Sequence, residues 1–278
     1  MQESAGPAMA RLQWEDHGIA IITIDNPPIN ALVSGVFAAV SQIAADLHEH
    51  PPRAVVLTGS EAAFAVGGEI SETRRIQFEG RAAIPDVELD AAVDRITDPE
   101  YVRGLGLKYL QTFDALAALP CATVAAIEGM ARGGGLEFAL ACDYRVCGED
   151  ARLGSPEVTL GGGTIGGGLV RMTALIGPSK AKKLYLGGQL ITAPEALRIG
   201  LVDELAPPGG ALAQALALAR SFAAHAGPAQ ANMKRFIDAS ATLTHDQASA
   251  MELAMWCESY ATDDARTRLR DFFKNGRR

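Results

Sequence analysis

Two short apolar runs, Ile19–Ile24 (IAIITI) and Ala54–Thr58 (AVVLT), are separated by a stretch with a different period. The runs are rich in β-branched residues and bounded by turn formers, so they read as strands. Between them, residues 36–48 place Phe37, Val40, Ile43, Ala44 and Leu47 at helical spacing. The alternation continues with a helix over 107–119 stopped by Pro120, a strand over 123–127 ended by Glu128-Gly129, a helix over 136–141 and a strand over 144–147. From residue 179 onward the patterns are mostly helical, over 179–186, 193–199, 211–224, 229–239, 246–260 and 264–274. Alternating strands and helices followed by helices alone restrict the chain to the α/β class. Pro207-Pro208-Gly209-Gly210 is the natural hinge, dividing a mixed core over residues 1–205 from a helical region over 206–278.

The chain has 278 residues, 48% of them apolar, which suits one large domain or a core with a small appendage. A net charge of −8 argues against nucleic acid, which needs a basic footprint. The first residues, MQESAGPAMARLQW, carry no apolar signal-peptide stretch, and no uninterrupted apolar run approaches the length of a membrane span. A cytoplasmic protein is expected. Cys121, Cys142, Cys147 and Cys257 form no CxxC pair and read as reduced core residues. His17, His48, His50, His225 and His245 show no metal-ligand spacing, so no metal is expected. Residues 74–103 are polar and charged, with Pro85 and Pro99 and no sustained period. They read either as a loop with broken helices near a site or as a partly ordered surface excursion.

Glycines cluster at 133–135, 161–163 and 166–168. Residues 161–166 match GxGxxG, but not at a first strand-to-helix turn, and no GK[ST] element exists. Nucleotide binding is therefore unsupported. Residues 126–140 (AIEGMARGGGLEFAL) suggest another use: a strand ends, a glycine turn follows and a helix begins. Glycine lets backbone approach a ligand closely, and N–H groups at a helix start point outward with the dipole behind them. Residues 63–70 (AFAVGGEI) repeat the theme after the strand ending at Thr58. Two such turns can give two N–H donors to one oxygen that gains negative charge. Tight turns without a ligand are the alternative.

Glu137 falls in the first helical turn after the 133–135 cluster, among Leu136, Phe138, Ala139 and Leu140. Such surroundings desolvate a carboxylate and raise its pKa, although acids also favour first turns for dipole reasons alone. Glu157 lies in GSPEVTL and reads as either a site carboxylate or a solvated loop acid. As a pair the two could do acid/base work, one activating water and one delivering a proton. Spacing alone does not bring them together.

The linked segments IDNPPINAL (24–32), VVLTGSEAAFAVGGEISE (55–72), PCATVAAIEGMARGGGLEFALACDYRV (120–146), ARLGSPEVTLGGGTIGGGLVRMTALIG (151–177), LITAPEALRIGLVDEL (190–205) and YATDDARTRLRDFF (260–273) span nearly the whole chain. In them the sequence resembles the crotonase superfamily, and within it the enoyl-CoA hydratases. The resemblance implies a spiral of ββα units followed by a helical trimerisation region, with trimers often paired into hexamers. It implies an acyl-CoA thioester as substrate, with coenzyme A belonging to the substrate and no separate cofactor. The family's oxyanion donors fall on Gly68 and Gly134, and its hydratase glutamates on Glu137 and Glu157. The substrate-contacting turn falls on Val66, Gly67, Gly68, Glu69, Ile70 and Ser71, with Gly134 opposite. Joint presence of both acids favours a hydro-lyase adding water across C2–C3 of a 2-enoyl-CoA, with Glu137 mainly the base and Glu157 mainly the proton donor. Isomerisation, acyl-CoA hydrolysis and a non-catalytic CoA-ester scaffold are the alternatives.

The chain also departs from the family. Val66-Gly67-Gly68-Glu69 replaces Ala-Gly-Ala-Asp, and Ser71 stands where relatives often carry a CoA-contacting lysine. Arg53 or Lys274 could substitute for that contact. The segment between Glu69 and Pro120 is longer than in a short-chain hydratase, which suggests an unusual acyl group or a modified lid. Arg132 and Thr164 replace residues commonly apolar or proline, bringing polarity near the acyl chain.

Overall fold

The computed structural model describes residues 9–68 and 84–276. Strands β1 (Ala10–Glu15) and β2 (Ile19–Ile24) form an antiparallel hairpin. Helix α1 (Ser34–Glu49) leads to β3 (Ala54–Thr58) and the two-residue β4 (Ala65–Val66). Helices α2 (Asp86–Thr97) and α3 (Pro99–Ala117) precede β5 (Ala122–Ile127), β6 (Met130–Arg132) and α4 (Gly134–Ala141). Next come β7 (Tyr144–Gly148), β8 (Arg152–Gly154), a 3-10 turn over Glu157–Leu160, α5 (Gly168–Ile176) and α6 (Pro178–Gly187). The chain continues through β9 (Ile191–Thr192), α7 (Ala193–Ile199) and β10 (Glu204–Ala206). It closes with α8 (Ala211–Ala223), α9 (Gly227–Ser240), α10 (His245–Tyr260) and α11 (Asp263–Asn275).

The strands form two sheets, ordered β1-β2-β3-β5-β7-β10 and β4-β6-β8-β9. From β2 to β10 the large sheet is parallel, as are β4, β6 and β8 in the small one. Each of β3–β4, β5–β6 and β7–β8 gives one strand to each sheet, so the chain advances as a spiral of ββα turns. Period-2 alternation sends successive side chains to opposite faces. Val55 and Leu57 enter the core between the sheets, whereas Ala54 and Val56 face α8. That helix meets the sheet through Ala211, Ala215, Ala219 and Ala223, a stripe of small side chains four residues apart that permits close approach. Glu128, just after β5, is buried and accepts the Ala211 N–H at 2.7 Å, anchoring the start of α8.

The polar stretch 74–103 is helical over most of its described part, contrary to the absence of a sequence period. Asp98 caps α3 by accepting the Tyr101 N–H at 2.7 Å, and Pro99 occupies its first turn. The helix expected from residue 107 thus begins at Pro99. Cys257 is exposed, correcting the expectation of four core cysteines; the other three are buried. Among the described residues, no helix is long and apolar enough to cross a membrane.

Candidate active site

A cavity of about 180 Å³ opens where α1, α3, α4 and the glycine turns converge. Leu32, Phe37, Leu105, Tyr109, Leu160 and Ile165 supply most of its apolar wall. The Phe37 and Tyr109 rings stack at 3.9 Å, with Phe113 and Phe138 packed behind Phe37. The extended segment before Pro120 therefore contributes Leu105 and Tyr109 directly to the cavity.

Gly67, Gly68, Gly134, Glu137 and Glu157 line the same space. Val66, in β4, is buried beside it. Glu69, Ile70 and Ser71 lie outside the described residues. The Gly67 N–H is taken by the Arg132 carbonyl at 3.2 Å, and among the described residues no acceptor takes the Gly68 N–H. Gly134 opens α4, so its N–H has no intrahelical acceptor. The two turns face each other across Leu32: a Cβ on Gly134 would stand 3.0 Å from Leu32 Cδ1, and one on Gly68 3.9 Å from Leu32 O.

Glycine is required before this helix. Gly133 holds φ +58, and a Cβ there would come within 2.3 Å of Glu157 Oε1. Thus the turn that starts the Glu137 helix also seats Glu157. The two acids meet even though they are twenty residues apart in the chain.

Glu137 is 3% exposed, and Thr164 Oγ1 donates to its Oε1 at 2.7 Å. Burial pushes its pKa up to about 8, against the pull of Thr164, and the Glu157 charge adds to the rise. The Gly168 N–H at the start of α5 also bonds the carboxylate and favours its charged form. A Cβ on Gly168 would lie 2.7 Å from Glu137 Oε1, so only glycine lets that backbone come so near. Glu157 is half-buried on its 3-10 turn, and burial raises its pKa too, while its own N–H and Arg132 pull it down. Its Oε2 is buried without a hydrogen-bond partner among the described residues.

The sequence reading missed Gly168, visible only as one member of a glycine cluster. Thr164 was expected near an acyl chain; it both lines the cavity and holds Glu137. Arg53 is engaged elsewhere, donating to the carbonyls of Ala223, the last residue of α8, and His225 just beyond it, and neither it nor Lys274 lines the cavity.

The model of the enoyl-CoA hydratase/isomerase family matches residues 15–103 and 103–277. The protein named "Probable enoyl-CoA hydratase EchA17" of Mycobacterium bovis is 35% identical over 209 residues, covering 75% of this chain and 72% of that protein. "Probable enoyl-CoA hydratase echA8" of the same species is 31% identical over 251 residues, covering 90% and 89%. The structure of an enoyl-CoA hydratase from Bacillus anthracis superposes with a TM-score of 0.83 at 27% identity, covering 96% of each chain. That of Pseudomonas aeruginosa DspI gives 0.83 at 26%, covering 98% of this chain and 97% of that one. The fold and site define a crotonase-type α/β spiral. The chain belongs to the enoyl-CoA hydratase/isomerase family.

Proposed function

We propose that this protein is an enoyl-CoA hydratase, adding water across the C2–C3 double bond of a 2-enoyl-CoA thioester. The observation that carries the reading is the convergence of Glu137, Glu157 and the Gly68 and Gly134 backbones on one cavity. In this reading, water attacks C3 as Glu137 takes its proton. The double-bond electrons move onto the thioester oxygen, where the Gly68 and Gly134 N–H groups hold the enolate. The enolate collapses as C2 takes a proton from Glu157. The apolar wall accepts the acyl chain, and coenzyme A enters only as part of the substrate.

One hydration leaves the proton on Glu137 and the charge on Glu157. The free site favours the same distribution, because Glu137 is the more deeply buried and Arg132 steadies a charged Glu157. That is the starting state for dehydration of a 3-hydroxyacyl-CoA. Hydration therefore needs the proton returned to Glu157 between turnovers.

We assign residues 206–278 to assembly into a homotrimer or a hexamer, in a cytoplasmic setting. Exposed Met233, Ile237, Leu253, Trp256, Phe272 and Phe273 on the last three helices support this reading. The test is a panel of CoA thioesters followed by product mass. Gain of one water on a 2-enoyl-CoA supports the proposal; inertness towards every 2-enoyl-CoA, or a double-bond shift without mass change, overturns it.

A further inference from the structure

Three buried polar atoms near the two acids lack a hydrogen-bond partner among the described residues: Glu157 Oε2, Ser155 Oγ and Tyr185 Oη. An orphaned buried polar atom is costly, so three in one neighbourhood require a reason. They are complementary in kind. Ser155 and Tyr185 each carry a rotatable O–H donor, and Glu157 offers a carboxylate oxygen. Ser155 is 1% exposed and stands two residues before Glu157. Tyr185 lies on α6, whose C-terminal Gly188 packs against Pro156, Val158 and Thr159 around the Glu157 turn. The phenol senses both carboxylates. Burial raises its pKa, Glu137 and then Glu157 raise it further, and the Ser155 hydroxyl opposes them. Tyr185 is thus a neutral donor. Neither hydroxyl lines the cavity, so both stand behind the acids.

We propose that Tyr185 and Ser155 form a hydroxyl relay that positions Glu157, with Tyr185 Oη–H donating to Ser155 Oγ and Ser155 Oγ–H donating to the ionised Glu157 Oε2. The role of the relay rests on the hydratase reading of Glu157. Once Glu157 has given its proton to C2, a negative charge sits on a carboxylate whose inner oxygen needs a donor. Adjustment of the Ser155 and Tyr185 side chains supplies it, because the three oxygens are unpartnered among the described residues of the resting structure. Both are positioning residues, since neither reaches substrate.

The test is a carbon-13 NMR titration of the glutamate carboxyls in the full-length protein, with the Glu157 signal assigned by its loss in Glu157→Gln. Ser155→Ala should raise the Glu157 pKa by about one unit, because a hydrogen bond to the charged form is lost. Tyr185→Phe should raise it by less, and Ser155→Thr should leave it unchanged. In crotonyl-CoA hydration, Ser155→Ala should lower kcat by roughly tenfold with KM unaltered. An unmoved Glu157 pKa in both Tyr185→Phe and Ser155→Ala overturns the relay, as does a raised KM with unchanged kcat. If Tyr185→Phe does not fold, Ser155→Ala decides alone. The titration needs no turnover, so a native protein inert towards every 2-enoyl-CoA refutes the hydratase reading while the relay is still judged.

Discussion

Glu137 and Glu157 share one cavity but stand on turns of opposite character. The Glu137 turn belongs to a helix buried on nearly every side, and two donors, Thr164 and the Gly168 backbone, hold its carboxylate. The Glu157 turn is one 3-10 loop whose following residues, Val158, Thr159 and Leu160, are exposed. Its carboxylate rests against Gly133 on one side and has an unpartnered oxygen on the other. Hydrogen bonding does not outweigh burial at Glu137, which keeps a raised pKa despite both donors. Arg132 eases the rise at Glu157. The difference lets one site hold a proton on one acid and release it from the other.

The strongest test of that division removes each acid in turn. Glu137→Gln and Glu157→Gln should each lower kcat/KM for hydration by about 10²–10⁴, read from loss of enoyl-thioester absorbance. The double variant should be little worse than the weaker single, because the acids act as a unit. A large loss in only one would point to a one-acid reaction. Gly133→Ala is expected to cost about 10²-fold in kcat, since its Cβ would displace Glu157 and its positive φ would strain the turn that starts the Glu137 helix.

Thr164→Val attacks the other acid. Losing this donor disfavours the charged form, so the Glu137 pKa should climb above about 8. With Glu137 as base, the pH profile of hydration kcat/KM moves to higher pH, and the rate at neutral pH drops about tenfold. Thr164→Ser should preserve the native profile. Linkage gives the stability counterpart: the folded pKa is about 8 against a reference of 4.5, so the stabilisation is full below the lower value and lost as pH rises through the upper. Glu137→Gln should remove that decline and be more stable than the native protein above pH 8, on the order of 2 kcal/mol by denaturant titration. The smallest effect belongs to Arg132→Met, a slight rise in the Glu157 pKa, read by carboxyl NMR titration, that fades with added salt, as expected for a half-exposed charge.

Much of the scaffold is legible because it is punctuated. Ile19–Ile24 and Ala54–Thr58 emerge with the bounds their patterns suggest, and the glycine turn before Glu137 lies between a strand and a helix as read. Strands β4, β6, β8 and β9 escape notice because two or three residues contain no period. Their pairing across the spiral supplies what the local sequence lacks. The start of α3 was signalled by Asp98-Pro99 and obscured by the charge of its first turn. At the site, each acid could be found but its partners could not. Thr164 and Gly168 reach Glu137 only because the chain returns through another turn of the spiral. Tyr185 reads locally as one more residue of an amphipathic helix.

The turn at Gly133 has a consequence for how this protein can change over generations. A site built from side chains fails by deletion, and a compensating group can often be recruited. Here, backbone approaches carboxylates at Gly133 and Gly168 because no side chain intervenes. Every replacement at those positions adds atoms, so drift can only crowd the site. The cavity wall of Leu105, Tyr109 and Ile165 is under no such restriction. Variation should therefore accumulate in what the site admits while its central geometry stays fixed.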